Sequence, residues 1–293
     1  MHTRLVLFGV IGLLTAAASP QSPHALPDFP ASPTSASVRF KLYRDYIIVA
    51  QGSIGELQNL NFLLDTGANP TAIDRKLAKK LRLVPEKAAR LTLLNQNAWV
   101  EEVVLPSVQL GPIRADSLPA VEQNLDPIAT FLGVRIDAII GFGVLSQRSF
   151  AIDYAAKKIL FGNIEPSTFS APLSQGPATF TVRFQIQGHP VSLLVDTGSD
   201  DLILFACQLS PNMRSFVTRG TQTSLNSEGK AFHLWEVWVS QVRVGAADIG
   251  VKRALISEND VNCGKSLDGV VGPTSLGLKW IAFDFDHLRF SWR

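Results

Sequence analysis

One heptapeptide pattern occurs twice in this chain. Phe62-Leu63-Leu64-Asp65-Thr66-Gly67-Ala68 is answered by Leu193-Leu194-Val195-Asp196-Thr197-Gly198-Ser199. Two further landmarks repeat behind it. Asp137-Ala138-Ile139-Ile140-Gly141 matches Asp268-Gly269-Val270-Val271-Gly272, and Ala151-Ile152-Asp153 matches Ala282-Phe283-Asp284. The offsets from 65 to 196, 137 to 268 and 153 to 284 are all 131 residues. Self-similarity at one spacing means that one folding unit has been used twice. Two lobes are therefore expected, 38–165 and 177–293, joined by a linker at 166–176 where Pro166 and Pro172 punctuate the chain. A length of 293 residues with 46% hydrophobic content is enough for two buried cores.

Each lobe reads as β-rich, so the expected class is all-β: two closed β-lobes with a few short helices and a cleft between them. An apolar strand and a turn precede each Asp, at Gln51-Gly52-Ser53-Ile54-Gly55 and at Gln187-Gly188-His189-Pro190. Alternating segments follow at Ala98–Leu105 and His233–Val244. The clearest helix spans Asp74–Leu83, with Asp74 as N-cap and Leu77 and Leu81 one turn apart. Clusters of Asn, Ser and Gly place hairpin tips near Leu94–Asn97 and Asn226–Lys230. Trp99, Trp235 and Trp238 are expected to pack in the core or against a sheet, with lining of the cleft as the alternative.

The N-terminus reads as a targeting signal. His2, Thr3 and Arg4 form a short n-region, Leu5–Ala17 is an apolar run, and Ala16-Ala17-Ala18 offers small residues for cleavage. Residues 1–18 are thus expected to be a signal peptide and the mature protein to be exported, periplasmic or secreted. The run is shorter than the roughly 20 apolar residues that a membrane helix needs, so no stable span is expected after cleavage. Residues 19–37 carry Pro20, Pro23, Pro27, Pro30 and Pro33 and read as an extended tether. A net charge of +2, with no long block of one sign, gives no reason to expect nucleic acid as a partner. No metal-ligand spacing occurs among the His and Cys residues, and no metal or other cofactor is expected. Cys207 and Cys263 can form a disulfide outside the cytoplasm, or remain two buried thiols.

A carboxylate at the end of an apolar strand is costly to ionise unless hydrogen bonds or charges compensate. One Asp-Thr-Gly is only a turn. Two copies related by an approximate twofold axis can bring Asp65 and Asp196 together, and carboxylates in contact share one proton because both cannot ionise. The ionised member can deprotonate a water while the protonated member donates to a substrate carbonyl, so water attacks an amide with no covalent intermediate. Thr66 and Thr197 can brace the two loops by hydroxyl-to-backbone bonds, and Gly67 and Gly198 leave room for the backbone beside the carboxylates.

These motifs resemble the aspartic proteases of the pepsin and retropepsin type. The short lobes and the stretch Asp137–Phe161 look most like the retropepsin-like aspartyl proteases of bacteria. The resemblance covers almost everything after the tether. It implies an endopeptidase with Asp65 and Asp196 as catalytic pair, supported by Thr66, Gly67, Ala68, Thr197, Gly198 and Ser199. The segments Ile139-Ile140-Gly141 and Val270-Val271-Gly272 would then cross beneath the catalytic loops. A β-hairpin flap over the cleft, a peptide or protein substrate and a monomeric enzyme are also implied. Ala68 stands where the second copy has Ser199, so only the second lobe offers a hydroxyl expected to bond its aspartate. A catalytically silent peptide-binding protein, or a dimer that pairs like lobes, is the rival reading.

Overall fold

The computed structural model describes residues 4–5, 36–165, 167–176, 179–210, 218–258 and 267–293. Of the segment expected to be a signal peptide, only Arg4–Leu5 is described, as a two-residue strand parallel to Ser224–Leu225. The tether lies outside the described residues except at Ala36–Ser37, which already belong to strand Ala36–Tyr43. The described chain is mostly β, with short helices at Arg75–Lys80, Asp126–Leu132 and Phe142–Leu145.

Two sets of strands repeat one pairing scheme. In the first half, Leu57–Leu64 lies antiparallel to Ile47–Ile54 and parallel to Ala138–Ile140. In the second, His189–Val195 lies antiparallel to Phe180–Ile186 and parallel to Gly269–Val271. Each half also carries a long hairpin. Lys87–Thr92 pairs with Asn97–Leu110, and Thr218–Leu225 pairs with Ala231–Val244. Both 14-residue strands bury every second or third side chain, which is the pattern of a strand with one face on a core. Each then reverses at a glycine of positive φ, Gly111 or Gly245, into Ile113–Gln123 or Ala247–Ser257. A Cβ on Gly245 would stand 2.6 Å from the Ser170 carbonyl oxygen, so only glycine fits both the conformation and the space.

The halves are joined by a six-stranded antiparallel sheet. Its order is Ala36–Tyr43, Lys158–Phe161, Phe150–Asp153, Trp280–Asp284, Arg289–Trp292, Phe169–Gln175. At its centre Ala151 faces Ala282, flanked by Phe150 against Phe283 and Ile152 against Ile281. That register is unchanged when each residue is exchanged for its copy in the other half. Phe150 and Phe283 pack with ring centroids 5.1 Å apart, within one apolar cluster that spans both halves.

The fold departs from three sequence expectations. The linker 166–176 is largely strand: Phe169–Gln175 pairs with Arg289–Trp292 on one side and Phe180–Ile186 on the other. Its alternate residues Ala171 and Leu173 are buried in the shared core, and that burial outweighs Pro172. The turn expected at Gln51–Gly55 starts only at Gly55, because Gln51–Ile54 stays in the strand. The helix expected over Asp74–Leu83 ends at Lys80, where Leu81 caps it and Arg82 takes a left-handed φ of 55°. Its start is as expected, with the Asp74 carboxylate accepting from the Lys76 N–H at 3.0 Å.

Candidate active site

Each aspartate stands one residue beyond the end of a buried strand. Phe62, Leu63 and Leu64, like Leu193, Leu194 and Val195, are almost fully buried, so the chain enters each loop with its direction set by packing. Ala138–Ile140 and Gly269–Val271 run parallel to these strands and take the first backbone bond of each loop. Asp65 N–H donates to the Ile140 carbonyl at 3.1 Å, and Asp196 N–H to the Val271 carbonyl at 2.9 Å. Behind them, a Cβ on Gly141 would lie 2.5 Å from the Ala68 carbonyl oxygen, and one on Gly272 would run into that of Ser199. Ile139-Ile140-Gly141 and Val270-Val271-Gly272 therefore pass directly against the two loops.

A second repeated device sits at the far end of these strands. The Asp137 carboxylate accepts from the Asn61 N–H at 2.8 Å, and the Asp268 carboxylate accepts from the Ser192 N–H at 2.7 Å. Both residues served in the sequence only as landmarks. Their side chains clamp Ala138–Ile140 and Gly269–Val271 to the strands that lead into Asp65 and Asp196.

The loops meet across the pseudo-twofold axis through their threonines. Thr66 Oγ donates to the Val195 carbonyl at 2.7 Å and accepts from the Thr197 N–H at 3.0 Å. Thr197 Oγ donates to the Leu64 carbonyl at 3.0 Å and accepts from the Thr66 N–H at 3.1 Å. Both residues are buried, so each bond replaces water that is absent there.

This interlock sets the carboxyls side by side. Asp65 is 2% exposed and Asp196 0%. Each accepts a bond from the N–H two residues on, Gly67 to Asp65 at 2.8 Å and Gly198 to Asp196 at 2.7 Å. A Cβ on Gly67 would lie 2.5 Å from the Asp196 Cγ, so the first loop passes directly against the opposite carboxyl. Burial pushes Asp65 well above the ordinary carboxylate range, helped by the charge of Asp196 and by a hydrogen bond between the two side chains. The N–H groups of Gly67 and Ala68 oppose this without overcoming it. A bond between two carboxyls requires a proton on one of them. The arrangement therefore pairs an acid with a base.

The serine behaves differently from expectation. Ser199 Oγ accepts from the Asp201 N–H at 3.2 Å, so its hydroxyl serves the loop backbone rather than the Asp196 carboxylate. The equivalent of Asp201 in the first half is Pro70, which has no N–H to give. A serine at position 68 would lack that partner, which accounts for Ala68. Cys207 is disulfide-bonded, and Cys263 lies outside the described residues.

Hairpin tips form at 93–96 and 226–230 and meet each other. Asn226 Nδ2 donates to Asn95 Oδ1 at 3.1 Å, Gln96 Nε2 to Glu228 Oε2 at 2.6 Å, and Gln123 Nε2 to Ser227 Oγ at 3.0 Å. Each tip also sends a leucine across. Leu94 is buried in a cluster of the second half with Leu194, Phe205 and Val270, while Leu225 packs against a first-half cluster with Leu63, Leu91 and Ile139. Trp99, Trp235 and Trp238, expected in the core or against a sheet, are 76%, 43% and 52% exposed and so do not lie in the core.

Nothing in the sequence assigned a role to Tyr154 or Arg253. Tyr154 is buried, and burial, with the charge of Asp196, pushes its hydroxyl above the ordinary tyrosine range. Arg253 joins the second hairpin to the loop behind Asp196. Arg253 stands in no motif, and Tyr154 follows the Ala151-Ile152-Asp153 landmark without a counterpart tyrosine after Asp284. Among the described residues no group of three or more His, Cys, Asp or Glu could hold a metal ion, and no helix is long and apolar enough to cross a membrane.

Comparison with curated proteins returns no match. Residues 50–144, which contain Asp65, the first hairpin and Ile139-Ile140-Gly141, match a family model described as Aspartyl protease, and this match supports an aspartyl protease family for the chain.

Proposed function

We propose that this protein is an aspartic endopeptidase of two tandem retropepsin-like lobes, in which Asp65 and Asp196 together activate one water for attack on a peptide carbonyl. The observation that carries the reading is the buried contact between two carboxyls from homologous loops, with Asp65 held toward its protonated form beside Asp196. The ionised carboxylate takes a proton from the water as the protonated one donates to the carbonyl oxygen. The tetrahedral species then collapses as the first carboxyl gives its proton to the amide nitrogen and the second takes one back from the gem-diol, freeing an amine and a carboxylic acid with no bond to the enzyme. The threonine interlock holds both carboxyls in place before substrate arrives, so little reorganisation is left for the reaction itself. The two hairpins act as flaps that cover an extended peptide. Because the contact lies within one chain, it supports one site per monomer over two sites in a dimer of like lobes.

Export is part of the same proposal, on the strength of the basic n-region, the apolar run and the small residues that end at Ala18. The deciding experiment incubates the mature chain with a diverse peptide library across pH, with and without a statine-type inhibitor. Asp65→Asn and Asp196→Asn are assayed beside it. Inhibitor-sensitive cleavage lost to a similar degree in both variants is the expected result. Cleavage that survives in Asp196→Asn, or no cleavage of any peptide by the wild type, refutes the proposal.

A further inference from the structure

The two flap hairpins share a register but differ in what lies on their inner faces. In the first, Ala89 faces Val100 and Leu91 faces Ala98. At the matching positions of the second, Gln222 faces Leu234 and Ser224 faces Phe232. Ala89 and Leu91 belong to an apolar cluster, whereas Gln222 and Ser224 are buried polar residues at 8% and 0% exposure. A buried amide needs partners. Gln222 Nε2 donates to Asp201 Oδ2 at 3.2 Å and to Ser224 Oγ at 3.0 Å, and its Oε1 accepts from Arg253.

Arg253 is the hub of this cluster. Its Nη1 donates to Asp201 Oδ1 at 2.6 Å, its Nε to Glu236 Oε2 at 2.8 Å, and its Nη2 to Gln222 Oε1. Asp201 stands in the loop that follows Asp196, Gln222 and Glu236 stand on the two strands of the hairpin, and Arg253 stands on the strand behind it. One planar guanidinium thus ties hairpin and catalytic loop together with charge-assisted bonds. The first half has nothing of the kind. Pro70 and Pro119 occupy the places of Asp201 and Arg253, and Glu102, in the place of Glu236, pairs with Lys87 of its own hairpin at 3.3 Å.

The geometry assigns Arg253 as a positioning residue that fastens the second flap to the catalytic loop, so that the opening which admits a peptide falls on the first flap, Lys87–Leu110. To open, the first flap has to withdraw Leu94, release the tip bonds of Asn95 and Gln96 and draw Ala89 and Leu91 off their apolar cluster. To open, the second must in addition break a partly buried ionic cluster whose Asp201 and Gln222 are buried. That the opening admits a peptide rests on the protease reading. The difference in flap stability does not.

Hydrogen–deuterium exchange of the full chain without ligand tests this. In the wild type, amides of 218–225 should exchange at least about tenfold more slowly than those of 87–92, as expected when local opening is opposed by charge-assisted, partly buried bonds. Arg253→Met should erase that difference while Leu57–Leu64 and His189–Val195 keep their rates, and Arg253→Lys, which keeps the charge without the fork, should fall between. If Arg253→Met does not fold, Gln222→Leu cuts the same connection from the flap side. On any peptide the wild type cleaves, Arg253→Met should raise KM more than it lowers kcat, since flap closure contributes to binding. Equal exchange of the two hairpins in the wild type, or a uniform rise across both halves in Arg253→Met, overturns the inference. Slow exchange of the second flap in a protein that cleaves no peptide refutes the protease reading and upholds this one.

Discussion

Replacing Thr66 with valine removes one hydroxyl and keeps the shape of the side chain. The hydroxyl donates to the Val195 carbonyl at 2.7 Å and accepts from the Thr197 N–H at 3.0 Å, both in a region closed to water. Valine strands both groups. An unsatisfied buried donor or acceptor costs about 1–3 kcal/mol, so with two groups stranded Thr66→Val should destabilise by about 2–6 kcal/mol. Thr66→Ser keeps both bonds and loses one methyl group, for a cost of about 1 kcal/mol. Thr197→Val should match Thr66→Val, because it strands the Leu64 carbonyl and the Thr66 N–H in the same way. The double variant should cost less than the sum of the singles, since loops already parted by one substitution admit water to the groups stranded by the other. Urea unfolding at neutral pH, with unchanged m-values as the check on comparability, measures all four. If Thr66→Val costs no more than Thr66→Ser, the hydroxyls do not hold the halves together and the interlock argument fails.

Burial raises the Asp65 pKa above its unfolded value, so the stability tied to its protonated form is fully present below the unfolded pKa of about 4 and is lost as pH rises through the folded pKa. Asp65→Asn cannot ionise; its melting temperature should therefore match the wild type near pH 3 and exceed it by a widening margin toward pH 7, and a margin that is flat or narrows with pH contradicts the shared proton. Gly272→Ala should cost several kcal/mol and abolish cleavage, because its methyl group would meet the rigid Ser199 carbonyl; calorimetry with a wild-type melting temperature would count against the packing argument. Asp268→Leu removes the acceptor of the Ser192 N–H and should cost about 1–3 kcal/mol, with Asp268→Asn recovering part of it in urea titrations.

The repeat at one offset was legible in the chain itself, and with it the two aspartates, their threonines and the crossing strands, because each depends on local residue identity. An Asp after three apolar residues and before Thr-Gly can only leave a buried strand through a tight loop. Two copies of one loop imply a twofold arrangement. Strand alternation and the glycine turns were equally local, and both hairpin tips fell where Asn, Ser and Gly cluster. What the sequence could not show was which polar groups would meet. The hydroxyl of Ser199 has the same chemistry whether it faces Asp196 or Asp201, and only the path of the folded loop points it at the Asp201 N–H. Phe169–Gln175 read as a linker from its prolines, yet pairing with strands on both sides, one of them the C-terminal strand, made it part of the shared sheet. Arg253, Gln222, Glu236 and Asp201 are separated by up to 52 residues and carry no motif. Their cluster exists because the second hairpin folds back against the loop that follows Asp196, and long-range closure of that kind is decided by the packing of the whole molecule.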